Sequence, residues 1–277
     1  MSTPLVSIIL PTWNGAAFIK GAIESVQVQT YHNWELIIIS DGSSDTTKEI
    51  VAEIMKHDAK IHFIENEKNL GIQKTLNKGL RIAQGDLIAR IDDDDRWIDT
   101  EKLAKQVSYM VLHPNTVLVG TGVVMIDEVG KELFRYLVPQ TDAHIRSVLL
   151  GKNCFVHSSV VFRKDAVLSV GGYDEDPASL HIEDYDLWLK LGMVGELANL
   201  SIYSVHFTLR AGSLSGRNKK LQFSQNIPLI KKYKAQYPGY WSAVMRSYAR
   251  IFMYGFVLRT PLRLLLTKGI AWYKKHW

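Results

Sequence analysis

The sequence predicts an α/β protein whose mixed, mainly parallel sheet is flanked by helices. Two patterns carry that prediction. Short β-branched apolar runs alternate with stretches of helical spacing, and polar turn clusters follow the runs. The composition agrees, with 47% hydrophobic and 22% charged residues, which excludes a disordered, collagenous or low-complexity chain.

Taken in order, residues 5–10 (LVSIIL) end at Pro11 and read as a buried strand. Residues 16–29 have helical spacing, with Phe18, Ala22, Ile23 and Val26 on one side. Residues 35–40 (ELIIIS) form a second strand, closed by the turn cluster Asp41-Gly42-Ser43, and a helix over 46–57 follows with Asp45 as its N-cap. A strand over 61–64, a helix over 71–83 and a strand over 87–91 complete the regular part. Strands separated by such helices imply parallel βαβ units covered on both faces. Sheets of that kind bind ligands beyond the carboxyl ends of their strands. Past Asp99 the periodicity weakens. A helix over 101–112, a strand over 117–126, an apolar strand-like run over 156–163 and a helix over 184–191 are predicted, and 212–216 (GSLSG) reads as a hinge.

A single cysteine, Cys154, excludes a disulfide framework and a Cys-rich metal site and points to a reducing compartment. The start MSTPLVSIILPTW lacks the basic region and cleavage site of a secretory signal. No uncharged apolar run reaches the ~18 residues of a membrane span; the longest candidate, 251–258, is bounded by Arg250 and Arg259. The net charge of +5 is segregated. Thirteen of the 33 Lys and Arg, and none of the 28 Asp and Glu, lie from Arg217 to Trp277. An acidic body thus carries a basic tail, which suits an anionic surface, nucleic acid or phospholipid.

Three polar clusters fall at predicted strand ends: Pro11-Thr12-Trp13-Asn14-Gly15, Asp41-Gly42-Ser43-Ser44-Asp45 and Asp92-Asp93-Asp94-Asp95. Turn chemistry alone accounts for the composition of the first two. It does not account for four consecutive aspartates, which repel one another unless cations offset the charge. A hard divalent ion, Mn²⁺ or Mg²⁺, suits them, because Mg²⁺ uses one or two carboxylates and completes its shell with water and substrate phosphates. An EF-hand is disfavoured because Arg96 occupies its fifth position, and neither a P-loop nor a GxGxxG follows the first strand.

These clusters, followed by Glu183-Asp184-Tyr185-Asp186-Leu187-Trp188-Leu189, resemble in order and spacing the family 2 inverting glycosyltransferases of GT-A (Rossmann-like) fold over roughly residues 4–215. The resemblance implies a nucleotide diphosphate sugar donor, with UDP the commonest nucleotide. It also implies transfer to a hydroxyl of a glycan or a polyprenyl- or glycolipid-linked saccharide in cell-surface polysaccharide synthesis. The chain then divides into a nucleotide-sugar-binding half (1–98), an acceptor-binding and catalytic half of the same domain (99–215) and basic amphipathic C-terminal helices (216–277).

By the same resemblance, Thr12 and Trp13, with Asn14 beside them, lie along the base and ribose, and Asp41 bonds the base. Asn69, Gly71 and Asn77 approach the donor from the third helix, and Arg90 and Asp93 belong to the same donor-binding set. Asp92 and Asp94 match the Asp-x-Asp positions, with Asp94 the expected metal ligand; the register within four identical residues leaves Asp93 and Asp95 as competitors. Glu183-Asp184 matches the segment that supplies the catalytic base, assigned to Asp184, although a helix N-cap is a second role open to that residue. Chemistry supports the assignment, since inversion in one displacement needs a carboxylate to take the acceptor proton. Arg210 stands where the family often has His, and it can grip a diphosphate bidentately. His206 is off register and receives no role; His157 reads as structural.

In the tail, Trp241, Val244, Met245, Tyr248, Ile251, Phe252 and Phe256 share one helical face, with Arg246 and Arg250 opposite, and a second amphipathic stretch follows Pro261. Such helices lie in a membrane interface or pack on the catalytic domain. The expected setting is cytoplasmic, peripheral on the inner face of the membrane. The rival readings are a nucleotidyltransferase, or a non-catalytic nucleic-acid-binding protein that uses the basic tail without a recognisable motif.

Overall fold

The computed structural model describes residues 3–209 and 219–255. The predicted hinge, Arg210 and the stretch after Pro261 lie outside the described residues.

Strands Val6–Thr12 (β1), Trp34–Ser40 (β2), Ile61–Glu65 (β3) and Leu87–Arg90 (β4) are linked by helices Ile19–Gln27 (α1), Thr47–Met55 (α2) and Ile72–Ile82 (α3). They pair in parallel in the order β3-β2-β1-β4. The later chain adds Arg96–Trp97 (β5), Thr116–Ile126 (β6), Glu132–Tyr136 (β7), Val161–Arg163 (β8) and Glu196–Thr208 (β9). Its helices are Lys102–Leu112 (α4), Asp142–Leu149 (α5), Lys164–Ser169 (α6), Glu183–Leu191 (α7), Lys219–Lys232 (α8) and Tyr240–Gly255 (α9). Antiparallel β8 joins β4 to β6, and β6 runs parallel to β9, so both parts of the chain share one nine-stranded sheet among the described residues.

Period-2 alternation decides which side chains enter which core. Leu36 and Ile38 of β2 join Ile8 and Leu10 under α1 and α4, whereas Ile37 and Ile39 join Leu76, Phe162 and Trp188 on the opposite face. Trp188 fills the centre of that second face, with ring centroids 5.9 Å from Phe155, 6.1 Å from Phe162 and 5.6 Å from His157. Two residues earlier, Asp186 is 1% exposed and accepts bonds from Lys232 Nζ at 2.9 Å and Tyr233 Oη at 2.8 Å, with Lys190 Nζ also 2.8 Å away. That carboxylate fastens α8 onto α7.

Two expectations need correction. The apolar run over 156–163 is not one strand: His157–Ser159 is a 3₁₀ turn and only Val161–Arg163 pairs. The turn brings Ser158 to the acidic cluster, where its hydroxyl is used. Asp45 is not the N-cap of α2; Thr46 holds that position, and Asp45 Oδ1 accepts from the Thr47 N–H at 3.1 Å. The apolar stripe of α9 is divided between the two alternatives: Val244 packs against the core, while Trp241, Met245 and Tyr248 point outward. Ala243 and Ser247, each 2% exposed, are the helix's buried residues, whereas Trp241, Met245 and Tyr248 are 74%, 71% and 58% exposed. No helix among the described residues is long and apolar enough to cross a membrane.

Candidate active site

The loops after β1, β2 and β4 meet at one edge of the sheet. Asn14 adopts a left-handed φ of 54°, which Asn tolerates. There its amide oxygen accepts from the Ser44 N–H at 2.8 Å, while its own N–H donates to Ser43 Oγ at 3.0 Å. Asp45 Oδ2 accepts from the Ala16 N–H at 3.0 Å. Thr12 Oγ1 donates to Asp93 Oδ2 at 2.6 Å. A Cβ at Gly15 would collide with both of those side chains, so only glycine allows the first loop to lie against the acidic turn. Trp13 is 55% exposed at this edge. Asp41 is buried and accepts from the main-chain N–H groups of Leu70 (2.8 Å) and Gly71 (2.9 Å) and from Asn66 Nδ2 (2.9 Å). It thereby holds the 66–71 loop, with exposed Asn69, against the Asp41-Gly42 turn.

The four aspartates, identical in sequence, differ in surroundings. Asp92 forms an ion pair with Arg90 Nη1, and its N–H donates to Ser158 Oγ at 3.0 Å. Burial opposes its charge, yet Arg90 holds the Asp92 carboxyl below the usual carboxylate range. Asp93 is engaged by Thr12. Asp94 is partly exposed, and its main-chain carbonyl accepts from Thr208 Oγ1 at 2.6 Å. Asp95 is 1% exposed; it accepts from Ser158 Oγ and, at 3.1 Å, from the Thr208 N–H. Burial, then the charges of Asp92 and Asp94, push the Asp95 carboxyl well above its ordinary range. Asp95 is therefore a clamp between the acidic turn and the end of β9, which corrects its candidacy as a metal ligand. The residues fit a hard divalent ion through Asp94, with Asp92 beside it. Among the described residues no group of three or more His, Cys, Asp or Glu side chains is arranged as a metal cage.

Helix α7 delivers the second acidic element. His181, at a left-handed φ of 72°, turns the chain into Ile182, the N-cap. Asp184 thus sits inside the first helical turn and is not a cap. Its Oδ2 accepts from Asn153 Nδ2 at 3.0 Å and its Oδ1 from the Tyr185 N–H at 2.7 Å. Burial raises the Asp184 carboxyl, although these two bonds and Arg90 act against it. Burial and the neighbouring Asp184 charge push Glu183 up to about 7, and its Oε2 is buried with no hydrogen-bond partner among the described residues.

Arg90 and Asn77 correct the expectation of donor contact. Arg90 is 2% exposed and lies beneath the site, its charge reaching Asp92, Asp95, Glu183 and Asp184. Asn77 is 8% exposed, with Nδ2 donating to Tyr173 O and Glu175 Oε1, both at 2.8 Å, and Oδ1 accepting from the Tyr173 N–H at 2.9 Å. It ties α3 to the turn that precedes α7. His157 Nε2 lies 2.8 Å from Tyr173 Oη, and burial, then Arg90, hold its pKa well below the usual value. Residues the motifs did not single out are Ser158, Asn153 and Thr208; in a sequence they are ordinary polar residues without spacing to mark them.

Residues 7–171 match the model for Glycosyl transferase family 2, to which the chain belongs. The protein is a glycosyltransferase of GT-A fold. It is 38% identical over 196 residues to the amylovoran biosynthesis glycosyltransferase AmsE of Erwinia amylovora, covering 70% of this chain and 71% of the relative. It is 31% identical over 254 residues, 91% of each chain, to the UDP-Glc:alpha-D-GlcNAc-diphosphoundecaprenol beta-1,3-glucosyltransferase WfgD of Escherichia coli. In fold it resembles S. aureus TarS 1–349 in complex with UDP-GlcNAc, with TM-score 0.71 at 18% identity over 93% of this chain and 76% of that one. It also resembles the mannosyltransferase PcManGT of Pyrobaculum calidifontis in complex with GDP-Man and Mn²⁺, with TM-score 0.64 at 17% identity over 98% and 81%.

Two predictions follow from the buried charges. Replacing Arg90 by Met leaves Asp92 ionised without its partner and should cost about 3–5 kcal/mol of stability, read by urea unfolding; a loss within 1 kcal/mol would show that Arg90 does not hold this cluster. Between the ordinary glutamate range and about pH 7, folded protein keeps a proton on Glu183 that unfolded chain has lost, so stability falls as pH rises through that window. Glu183→Gln should reduce the fall measured from pH 5 to 8, and an unchanged slope would assign it elsewhere.

Proposed function

We propose that this protein is a metal-dependent inverting glycosyltransferase that moves a sugar from a nucleotide diphosphate sugar, a UDP-sugar, to a hydroxyl of a lipid-linked saccharide in cell-surface polysaccharide synthesis. One observation carries the reading: the acidic turn after β4 and the acid pair that opens α7 meet over one buried guanidinium, Arg90. Diphosphate-facing carboxylates and a carboxylate of raised basicity are the two parts a single-displacement transfer needs.

On the donor side, exposed Trp13 offers a stacking surface, and Thr12, Asn14, Asp41 and Asn69 fix the loops around it. Asp94, with Asp92 beside it, would hold Mn²⁺ or Mg²⁺, which supplies Lewis-acid stabilisation of the leaving diphosphate. Asp184 accepts the proton of the acceptor hydroxyl as its oxygen bonds to the anomeric carbon and the bond from that carbon to the phosphate oxygen breaks. Asn153 and the Tyr185 N–H orient that carboxylate. Burial raises its pKa, which makes it a stronger base than an exposed aspartate.

The lipid-linked acceptor and a peripheral position at the inner membrane face draw support from the tail. The outward stripe of Trp241, Met245 and Tyr248 lies in the segment that carries thirteen basic and no acidic residues. Apolar and cationic groups together suit an anionic lipid surface.

Asp184→Asn should lower kcat by about 10²–10⁴-fold with UDP affinity unchanged, whereas Asp94→Ala should remove the Mn²⁺ dependence of UDP binding seen by calorimetry. Near-normal turnover of Asp184→Asn, or Mn²⁺-independent UDP binding by the native protein, would overturn the assignment.

A further inference from the structure

Lys102 of α4 is 0% exposed, and the chemistry derived above makes no use of it. Burial holds its amine well below the ordinary lysine range, against the opposing effect of the Asp99 charge. The Lys102 Nζ donates to Gln106 Oε1 at 2.8 Å and stands 4.0 Å from the centroid of the Trp97 ring. Both of these neighbours are buried, and both reach on to the same short segment. Gln106 Nε2 donates to Ser159 O at 2.9 Å and to Val119 O of β6 at 2.8 Å. Trp97 Nε1 donates to Ser158 O at 2.8 Å. Two carbonyls of the 3₁₀ turn His157–Ser159 therefore hang from side-chain donors that share one amine behind them. That turn carries the Ser158 hydroxyl, which accepts from the Asp92 N–H and donates to Asp95. Trp97 also lies two residues after Asp95, where its own N–H donates to Ser25 Oγ of α1 at 3.1 Å. One side chain thus ties the exit of the acidic turn to the segment that holds its entry.

We propose that Gln106 and Trp97, oriented by Lys102, are positioning residues that fix the acidic turn in the geometry that receives a divalent ion. This lies one layer behind the proposed metal-dependent site and rests on that reading. A lysine amine only donates, so it selects the amide oxygen of Gln106 and leaves both amide hydrogens for the carbonyls of Ser159 and Val119. With the amide reversed, those carbonyls would face an oxygen in a buried site and lose their donor. Packing alone does not call for such residues. Desolvating an amine is costly, and an apolar side chain would fill the space between α4 and the sheet without that cost. What the polar side chains add is direction, because a hydrogen bond fixes atoms that apolar contact leaves free to slide. Lys102, Gln106 and Trp97 reach the ion site only through Ser158 and the chain exit. Without their donors the 3₁₀ turn and the acidic turn have to be ordered as the ion binds, and that ordering weakens its affinity.

The test is calorimetry of UDP binding to the full-length protein across a series of Mn²⁺ concentrations, with the stability of each variant measured by urea unfolding. Gln106→Leu and, separately, Trp97→Phe should each raise the Mn²⁺ concentration for half-maximal UDP binding at least ten-fold. Trp97→Phe keeps a ring against Lys102 and removes the Nε1 donor, so it decides the matter if Gln106→Leu does not fold. Val107→Ala is the control for lost stability alone. Its side chain, next to Gln106 on α4, lies in the core with Ile8 and Leu10 and makes no bond to the 3₁₀ turn; its half-point should remain native. A native half-point in either positioning variant that folds overturns the proposal, as does an equal shift in Val107→Ala at an equal loss of stability. UDP binding by the native protein that is independent of Mn²⁺ would instead overturn the metal-dependent reading beneath it, and the proposal with it.

Discussion

A guanidinium buried to 2% exposure beneath the sheet edge is the constraint on which the rest of the site depends. A lone buried charge is costly, and Arg90 is tolerable only because Asp92 pairs with it and further carboxylates lie close. The converse holds equally. Asp92, Asp95, Glu183 and Asp184 are carried on two elements about ninety residues apart in sequence, and without a cation between them they would repel. Their pKa values diverge with their surroundings: Arg90 holds Asp92 below the usual carboxylate range, whereas burial pushes Asp95, Glu183 and Asp184 above it. One fixed charge thus sorts chemically similar groups into different functions.

The surrounding contacts position the loops on this charge. Ser158 accepts from the Asp92 N–H and donates to Asp95, so the 3₁₀ turn after Val156 sets the shape of the acidic turn. Asp95 and the Asp94 carbonyl together grip Thr208, fixing where β9 ends. Asn77 fixes the Tyr173 turn, and Tyr173 reaches His157, whose ring meets Trp188 edge-on. The core aromatic of α7 and the acid pair at its start are therefore positioned by the same packing. A change in that core would move the base as well as loosen the fold.

Much of this was legible in the residues. The first four strands and three helices follow from period-2 and 3.6-residue patterns because both sheet faces there are covered by regular helices. The acidic quartet and the Glu183-Asp184 pair were legible as motifs. Their division of labour was not, since four adjacent aspartates carry no information about which one meets Ser158, Thr12 or Arg90. β9 escaped notice because its exposure alternates irregularly, Leu197 and Ala198 both being buried while Ser201 is exposed. The helical wheel of the tail showed two faces without showing which one packs. Small residues, Ala243 and Ser247, settled that by allowing close approach to the 150–156 segment, where a Cβ on Gly151 would come within 3.0 Å of Ala243 Cα.

The internal neutralisation also narrows what a metal ion has to do. Read from the sequence, four adjacent aspartates call for a cation to offset their charge. In the folded chain Arg90 pairs with Asp92, Thr12 bonds Asp93, and buried hydrogen bonds hold Asp95. The acidic turn is therefore held by partners within the chain itself, with Asp94 partly exposed at its edge. In the proposed metal-dependent transfer, a turn prearranged in this way would spend no binding energy on folding around an ion, leaving that energy for the leaving group.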